Sequence, residues 1–238
     1  MSAAQGIAQG TAQRVCGICG HAARPPFRAP QPEIAPDLDM RPGEPTRSTL
    51  RDWVQACPGC GAVAEDLAAL PASARSVVES EAYRLLSTKG IEETLPFRRA
   101  AMIAAAAGNV AGQAEALLQA AWAADDAAAM AEAAALRTEV AALWGDEATG
   151  ELALRRLDAL RRSGQFKAAA AWAEATTSRV TEELGRSIVA FQTQRIAARD
   201  VGRHLISSVL PPPAHKPHVS HGKRVTTGFW SRVLGRRG

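Results

Sequence analysis

The stretch Leu154-Arg155-Arg156-Leu157-Asp158-Ala159-Leu160-Arg161-Arg162-Ser163-Gly164-Gln165-Phe166-Lys167-Ala168-Ala169-Ala170-Ala171-Trp172-Ala173 decides the fold. Leu154, Leu157 and Leu160 recur every three residues, and a second apolar stripe of Phe166, Ala169, Trp172 and Ala173 begins just after Ser163-Gly164. An apolar residue at every third or fourth position marks a helix that buries one face. A two-residue break between two such stripes turns one helix back along the other. The segment therefore reads as an antiparallel helical hairpin, one helix running from about Glu147 to Arg162 and the next opening at Gln165-Phe166.

The same punctuation extends in both directions. Ser73 is a suitable N-cap for a helix through Leu86, closed by Gly90. Thr94 caps a second helix with Pro96 in its first turn, where a missing N–H costs nothing. Gly108-Asn109 breaks that helix, a third runs from about Val110 to Ala124, and Asp125-Asp126 marks the turn and cap into a fourth that ends near Trp144-Gly145. A long last helix spans roughly Thr181 to Ile206. The expectation is a mainly α fold of antiparallel hairpins over residues 67–206, with Trp122, Trp144 and Trp172 as packing residues. Charges at helical i,i+4 spacing, Glu151 with Arg155 and Asp158 with Arg162, read as solvated pairs on the helix surface.

Composition agrees with this architecture. The chain is 47% hydrophobic but only 5% aromatic, and much of the apolar content is alanine. Alanine buries little area per residue, so helices must approach closely for such a chain to hold a core. The net charge of +4 is unevenly placed. From Arg203 onward there are seven cations (Arg203, Lys216, Lys223, Arg224, Arg232, Arg236 and Arg237) and no acid, which leaves residues 1–202 with a net −3. A basic segment over 207–238, opening with Pro211-Pro212-Pro213, is expected to be disordered. The first twenty residues lack the basic start and apolar run of a secretory signal. No stretch of about 18 uninterrupted apolar residues suggests a membrane span, so the expected compartment is the cytoplasm.

All four cysteines lie in the remaining zone, residues 14–66, as Cys16-Gly17-Ile18-Cys19-Gly20 and Cys57-Pro58-Gly59-Cys60-Gly61. In a reducing compartment two C-x-x-C pairs favour a metal over disulfides. Each C-x-x-C turn sets two sulfurs on one side of a tight loop, and glycine after the second cysteine supplies the positive φ that the turn needs. Two such turns brought together present four thiolates to one ion. The metal ligands read from the sequence are Cys16, Cys19, Cys57 and Cys60, and the metal is zinc. Iron in a rubredoxin-like site is the rival, although Phe27 and Trp53 are the only aromatics in this zone. Two separate reactive dithiols are the other reading. His21 stands beside the first pair as an alternative ligand or an exposed neighbour, and Arg14, Arg24 and Arg51 are candidates to offset the thiolate charge. Gln13-Arg14-Val15 and Leu50–Gln55 lead into the cysteine turns as short strands. The Pro- and Gly-rich segment between Pro25 and Pro45 reads as an irregular excursion.

Four cysteine ligands fill a tetrahedral shell, so the site is expected to be structural and not catalytic. The sequence has no G-x-S-x-G and no phosphate-cradling glycine loop. Asp37-Leu38-Asp39 reads as a pair of carboxylates meeting Arg41 and Arg47 within its loop, and His215-x-x-His218-x-x-His221 as a loose cluster. No catalytic residue is assigned. The function classes read from the sequence are a protein–protein interaction module, a nucleic-acid binder using the basic end, and a redox-responsive zinc–thiolate switch, with a protein partner favoured and an enzyme disfavoured.

Gly164-Gln165-Phe166-x-x-Ala169 resembles the centre of a tetratricopeptide repeat, and Gly108-Asn109-Val110 echoes it without the regular 34-residue spacing of an array. Together with the two Cys-x-x-Cys-Gly turns, the loop Pro36-Asp37-Leu38-Asp39-Met40-Arg41-Pro42, Trp53-Val54-Gln55 and Leu160-Arg161-Arg162-x-Gly164-x-Phe166, it makes the chain similar to an uncharacterised bacterial family. Members of that family join an N-terminal zinc ribbon to tetratricopeptide-like helices. The resemblance covers roughly residues 14–180. It implies the fold and the four metal ligands and carries no activity with it.

Overall fold

The computed structural model describes residues 14–23 and 36–210. Residues 1–13 and 211–238 lie outside the described residues, and so do Arg24, Phe27 and the histidines at 215, 218 and 221. The described chain is mainly helical. Two short antiparallel hairpins, β1 (Arg14–Val15) with β2 (Ala22–Ala23) and β3 (Gln55–Ala56) with β4 (Val63–Ala64), carry the cysteine turns. They are followed by α1 (Arg75–Val78), α2 (Glu81–Leu85), α3 (Leu95–Ala106), α4 (Val110–Asp126), α5 (Met130–Trp144), α6 (Gly150–Arg162), α7 (Phe166–Thr177) and α8 (Glu183–Ala197). Among the described residues, no helix is long and apolar enough to cross a membrane.

Helices α3 to α8 pack as sequential neighbours, α6 also touching α8. Their turns share one device. At Asn109, Ala129, Gln165 and Asp200 the backbone N–H donates to the carbonyl five residues earlier, that of Ala104, Ala124, Leu160 and Arg195 respectively, at 2.8–3.0 Å. The residue before each, at Gly108, Ala128, Gly164 and Arg199, has positive φ. This is the Schellman closure, which satisfies the last carbonyls of a helix. Two of the four positions hold non-glycine residues, and both correct the sequence expectation. Asp125 and Asp126 are the final residues of α4, and the α4–α5 turn is made by alanines. The last helix stops at Ala197, because Arg199 reverses the chain, and residues 201–205 run on without helix. The first expected helix also divides: Glu79-Ser80 interrupts it, and the Ser80 hydroxyl caps α2 by accepting the Tyr83 N–H at 3.2 Å.

Alanine lets the helices approach. Ala114, Ala120, Ala121 and Ala124 of α4 are wholly buried around Leu118 and Trp122. One core cluster joins α3, α4 and α5 through Phe97, Leu118, Trp122, Leu136 and Val140. A second joins α6, α7 and α8 through Leu157, Leu160, Ala169, Trp172 and Val189. A third surrounds the cysteine turns with Ile18, Leu67, Val78, Tyr83 and Ile103, so the hairpins dock on α1, α2 and α3. Trp122 and Trp172 are buried packing residues as expected, and Trp144 is half-buried.

The expected strand over Leu50–Gln55 is mostly a 3₁₀ helix, Thr46–Asp52, and only Gln55–Ala56 is extended. The cause is local. The Thr49 hydroxyl donates to the Thr46 carbonyl at 2.7 Å and accepts from the Trp53 indole N–H at 2.9 Å, which holds a helical turn. Leu50 points into the α3–α5 core, and Trp53 meets Trp122 edge-on at 6.2 Å. Of the irregular excursion expected between Pro25 and Pro45, the described residues 36–45 contain no helix and only one isolated bridge, and they are built into the helical body.

Ala128 occupies a conformation that costs an L-residue with a Cβ roughly 1–2 kcal/mol. Ala128→Gly is therefore expected to stabilise the fold by about 0.5–1 kcal/mol after the entropy of the unfolded glycine is subtracted, read as a higher midpoint in urea. A lower midpoint would show that the turn is held by something other than this closure.

Candidate metal centre

Each cysteine turn is built by the same two hydrogen bonds. Cys16 N–H donates to His21 O at 2.8 Å and Gly20 N–H to Cys16 O at 2.9 Å; Cys57 N–H donates to Ala62 O and Gly61 N–H to Cys57 O, both at 2.8 Å. Gly20 and Gly61 share a φ of 74°. Two copies of one turn therefore face each other, and the four Sγ atoms lie within 4.8 Å of one another. The contacts between turns are short: Cys16 Sγ to Cys60 Sγ is 3.9 Å and Cys19 Sγ to Cys57 Sγ is 3.6 Å. Four sulfurs at about 2.3 Å from a central ion would form a tetrahedron with edges of about 3.8 Å. All four cysteines are free, and these separations are far beyond the roughly 2.05 Å of a disulfide. The group can hold a metal ion, and its donors fit one of tetrahedral thiolate preference.

The surroundings are apolar and closely fitted. Cys16 and Cys57 are buried, and Cys19 and Cys60 half-buried. Tyr83 donates its hydroxyl proton to Gly61 O at 3.0 Å, Arg75 donates to Ile18 O, and Gly17 N–H donates to Leu67 O at 2.9 Å. Burial pushes the Tyr83 hydroxyl up to about 12 despite the Arg99 guanidinium over its ring. Burial also pushes the Cys60 thiol up to about 12; the Ala62 N–H pulls the other way, and the neighbouring thiols add to the rise. At Cys60 burial therefore opposes a lone thiolate, and a bound cation would offset that cost.

Glycines inside the turns are more tightly enclosed than those after them. A Cβ on Gly17 would sit 2.1 Å from Leu70 O, and a Cβ on Gly59 would sit 2.9 Å from His21 Cβ and 3.2 Å from Cys19 Sγ. One turn is pressed against the following chain and the other against its twin. The sequence reading stressed Gly20 and Gly61 and passed over these two, although both are visible inside their Cys-x-x-Cys. His21 is exposed and outside the ligand group. Of the proposed balancing arginines, only the Arg51 side chain is described; it is 89% exposed, with Asp52 as its ion partner at 3.9 Å.

A second polar centre lies where Asp37–Arg41 crosses one face of α4, α5 and α6. Asp39 has no exposed surface. Its Oδ2 accepts from the Trp122 indole at 2.9 Å, from Arg162 at 3.1 Å and from Arg137 at 3.4 Å, and its Oδ1 accepts from Arg41 N–H at 3.3 Å. Arg137 and Arg162 also reach Asp125 at 2.6 and 2.7 Å. Arg41 donates to Trp122 O at 3.2 Å and pairs with Asp126. Asp37 meets Arg47 at 2.9 Å, as expected within the loop, and its backbone bridges to Leu205. Met40 takes a positive φ of 67° to make the turn.

The helix-surface reading of Asp158 and Arg162 is corrected here. Asp158 pairs instead with buried Arg161 at 2.6 Å, and Arg162 turns inward to Asp39 and Asp125. Glu151 does face Arg155, at 3.9 Å, but Arg155 has a closer partner in Glu115 at 2.7 Å. Spacing along α6 gave no sign that a loop over a hundred residues away covers these arginines.

Gly17→Ala is expected to lower the urea midpoint of the metal-loaded protein by the equivalent of about 2–3 kcal/mol, because backbone cannot yield to the new methyl. Gly61→Ala, whose Cβ would meet open space, is expected to cost only about 1 kcal/mol of φ strain. Equal effects would contradict the packing read here. In the second centre, burial alone would raise Asp39 and Asp125, but Arg162 and Arg137 hold both carboxyls below the ordinary value. Their stabilisation is therefore present above about pH 4 and is lost as pH falls through the lower folded values. Asp39→Asn is expected to cost about 3–5 kcal/mol at pH 7, by leaving buried cations short of a partner, and to flatten the fall in stability below pH 4. An unchanged acid limb in urea titrations would contradict this.

No protein-family model, curated protein or solved structure matches the chain.

Proposed function

We propose that this chain is a zinc-binding protein in which Cys16, Cys19, Cys57 and Cys60 hold one structural Zn²⁺ and the helices serve protein–protein interaction in the cytoplasm. The convergence of the four sulfurs within 4.8 Å carries the metal part of the reading. Four thiolates complete a tetrahedral shell and leave no position for a substrate or an activated water. Zinc is favoured over iron because the surroundings are aliphatic apart from Tyr83, whereas rubredoxin-like iron sites are wrapped in packed aromatics. The interaction part rests on the helical body and on the lack of any catalytic constellation in the sequence.

The nucleic-acid alternative depends on the basic end, of which only Arg203 is described; its guanidinium faces Asp37 at 3.8 Å. Protein expressed in metal-replete medium is expected to carry one zinc per chain by plasma mass spectrometry. The Cys57→Ser/Cys60→Ser variant is expected to carry less than a tenth of that. Iron in place of zinc would overturn the metal assignment. Cross-linking in native extracts is expected to return a recurring protein partner. Turnover of a small molecule by the purified chain with no such partner would overturn the interaction reading.

A further inference from the structure

The cysteine turns pack against α1 to α3 and the Asp39 loop against α4 to α6, yet the two are joined along the chain. The second cysteine turn is tied to the Asp39 loop by a short, fully described path. Arg47 pairs with Asp37, Leu50 is buried against α4, Trp53 packs on Trp122, and four residues later comes Cys57. Trp122 itself donates to Asp39. The loop backbone is fixed from the far side too: Leu38 N–H donates to His204 O at 3.0 Å and Ile206 N–H to Pro36 O at 2.9 Å. The segment from Pro36 to Trp53 is thus a strap whose second end leads into the second cysteine turn and whose first part is clamped at Asp39 by arginines of α5 and α6.

Regular secondary structure does little to hold this strap. Over Pro36–Trp53 it consists of the 3₁₀ helix Thr46–Asp52 and one isolated bridge, and Met40 sits in a strained conformation. Two anchors bracket it, the carboxylate of Asp39 among Trp122, Arg137 and Arg162 and the seating of Cys57 and Cys60, with Leu50 and Trp53 packed on the helical core between them. Losing either anchor removes part of the loop-closure advantage of the other. By linkage, each anchor then strengthens the other by the same factor.

From this, and resting on the metal reading above, we propose that Asp39 is a positioning residue for the metal centre: its clamp by Arg137, Arg162 and Trp122 holds the strap that presents Cys57 and Cys60, so that metal occupancy and strap docking form one linked equilibrium. The strap then acts as an internal ligand of the helical body, retained by the ion. Loss of the ion loosens Pro36–Trp53 from α4, α5 and α6 before it loosens α7 and α8, whose core cluster contains no residue of the strap.

Zinc affinity of the full chain, measured by competition with a chromophoric chelator, tests the proposal. Asp39→Asn is expected to weaken zinc binding at least five-fold, the lower end of an ordinary coupling. Val189→Ala, a buried truncation on α8 in a core cluster that includes neither Asp39 nor a cysteine, is expected to change it less than two-fold. Hydrogen exchange on the unmodified chain gives a second measurement that needs no variant to fold. On chelation, amides of 36–53 should lose protection at least ten-fold while those of 166–197 keep theirs. If zinc binds but Asp39→Asn matches the control, or 36–53 stays protected in the metal-free chain, the coupling is overturned and the metal assignment stands. If the chain binds no zinc at all, both fail.

Discussion

Four sulfurs brought within 4.8 Å in an apolar setting impose a charge requirement on the whole N-terminal region. As thiols they can sit there neutral, since burial resists ionisation at Cys60, but the hairpins that carry them are only two residue pairs long. Such hairpins are not stable by themselves in water. A divalent cation bound by all four sulfurs would fix both hairpins at once. Ile18, Leu67 and Tyr83 pack the turns against α1 to α3.

The helical body meets a comparable problem with charges in place of thiols. Arg137 and Asp39 are nearly inaccessible to water, and Arg162 and Asp125 are largely covered. Burying such charges costs several kcal/mol each, and ion pairing repays that only with good geometry and full hydrogen bonding. Here the pairing is shared: two arginines each divide their donors between Asp39 and Asp125, and the Trp122 indole supplies a further donor. The arrangement specifies one position for the strap more than it adds net stability.

Reading of the sequence went furthest where residue type dictates geometry. The four cysteines with their glycines marked the metal turns, and Gly108 and Gly164 marked two helix reversals in the right places. It faltered where context overrides type. Ala128 and Arg199 adopt the conformation that glycine usually signals, so α4 was ended too early and α8 too late. Thr49 and Trp53 form a 3₁₀ turn through side-chain hydrogen bonds that apolar alternation does not reveal. Asp39 reads as a loop carboxylate for Arg41 and Arg47, and Arg162 as a helix-surface charge, because each has ordinary neighbours along the chain; only the fold joins them across more than 120 positions. Gly17 and Gly59 were visible in the motif, but their role depends on Leu70 and His21, which no local pattern connects to them.

The central claim is a single ion held by sulfur alone, with both turns contributing. X-ray absorption at the metal edge of the purified full chain tests it most directly. Four sulfur scatterers at about 2.3 Å with no nitrogen or oxygen in the inner shell is the result this account requires. A shell containing nitrogen or oxygen, or only two sulfurs per ion, would mean that the two turns do not converge on one centre, and the account would be wrong at its base.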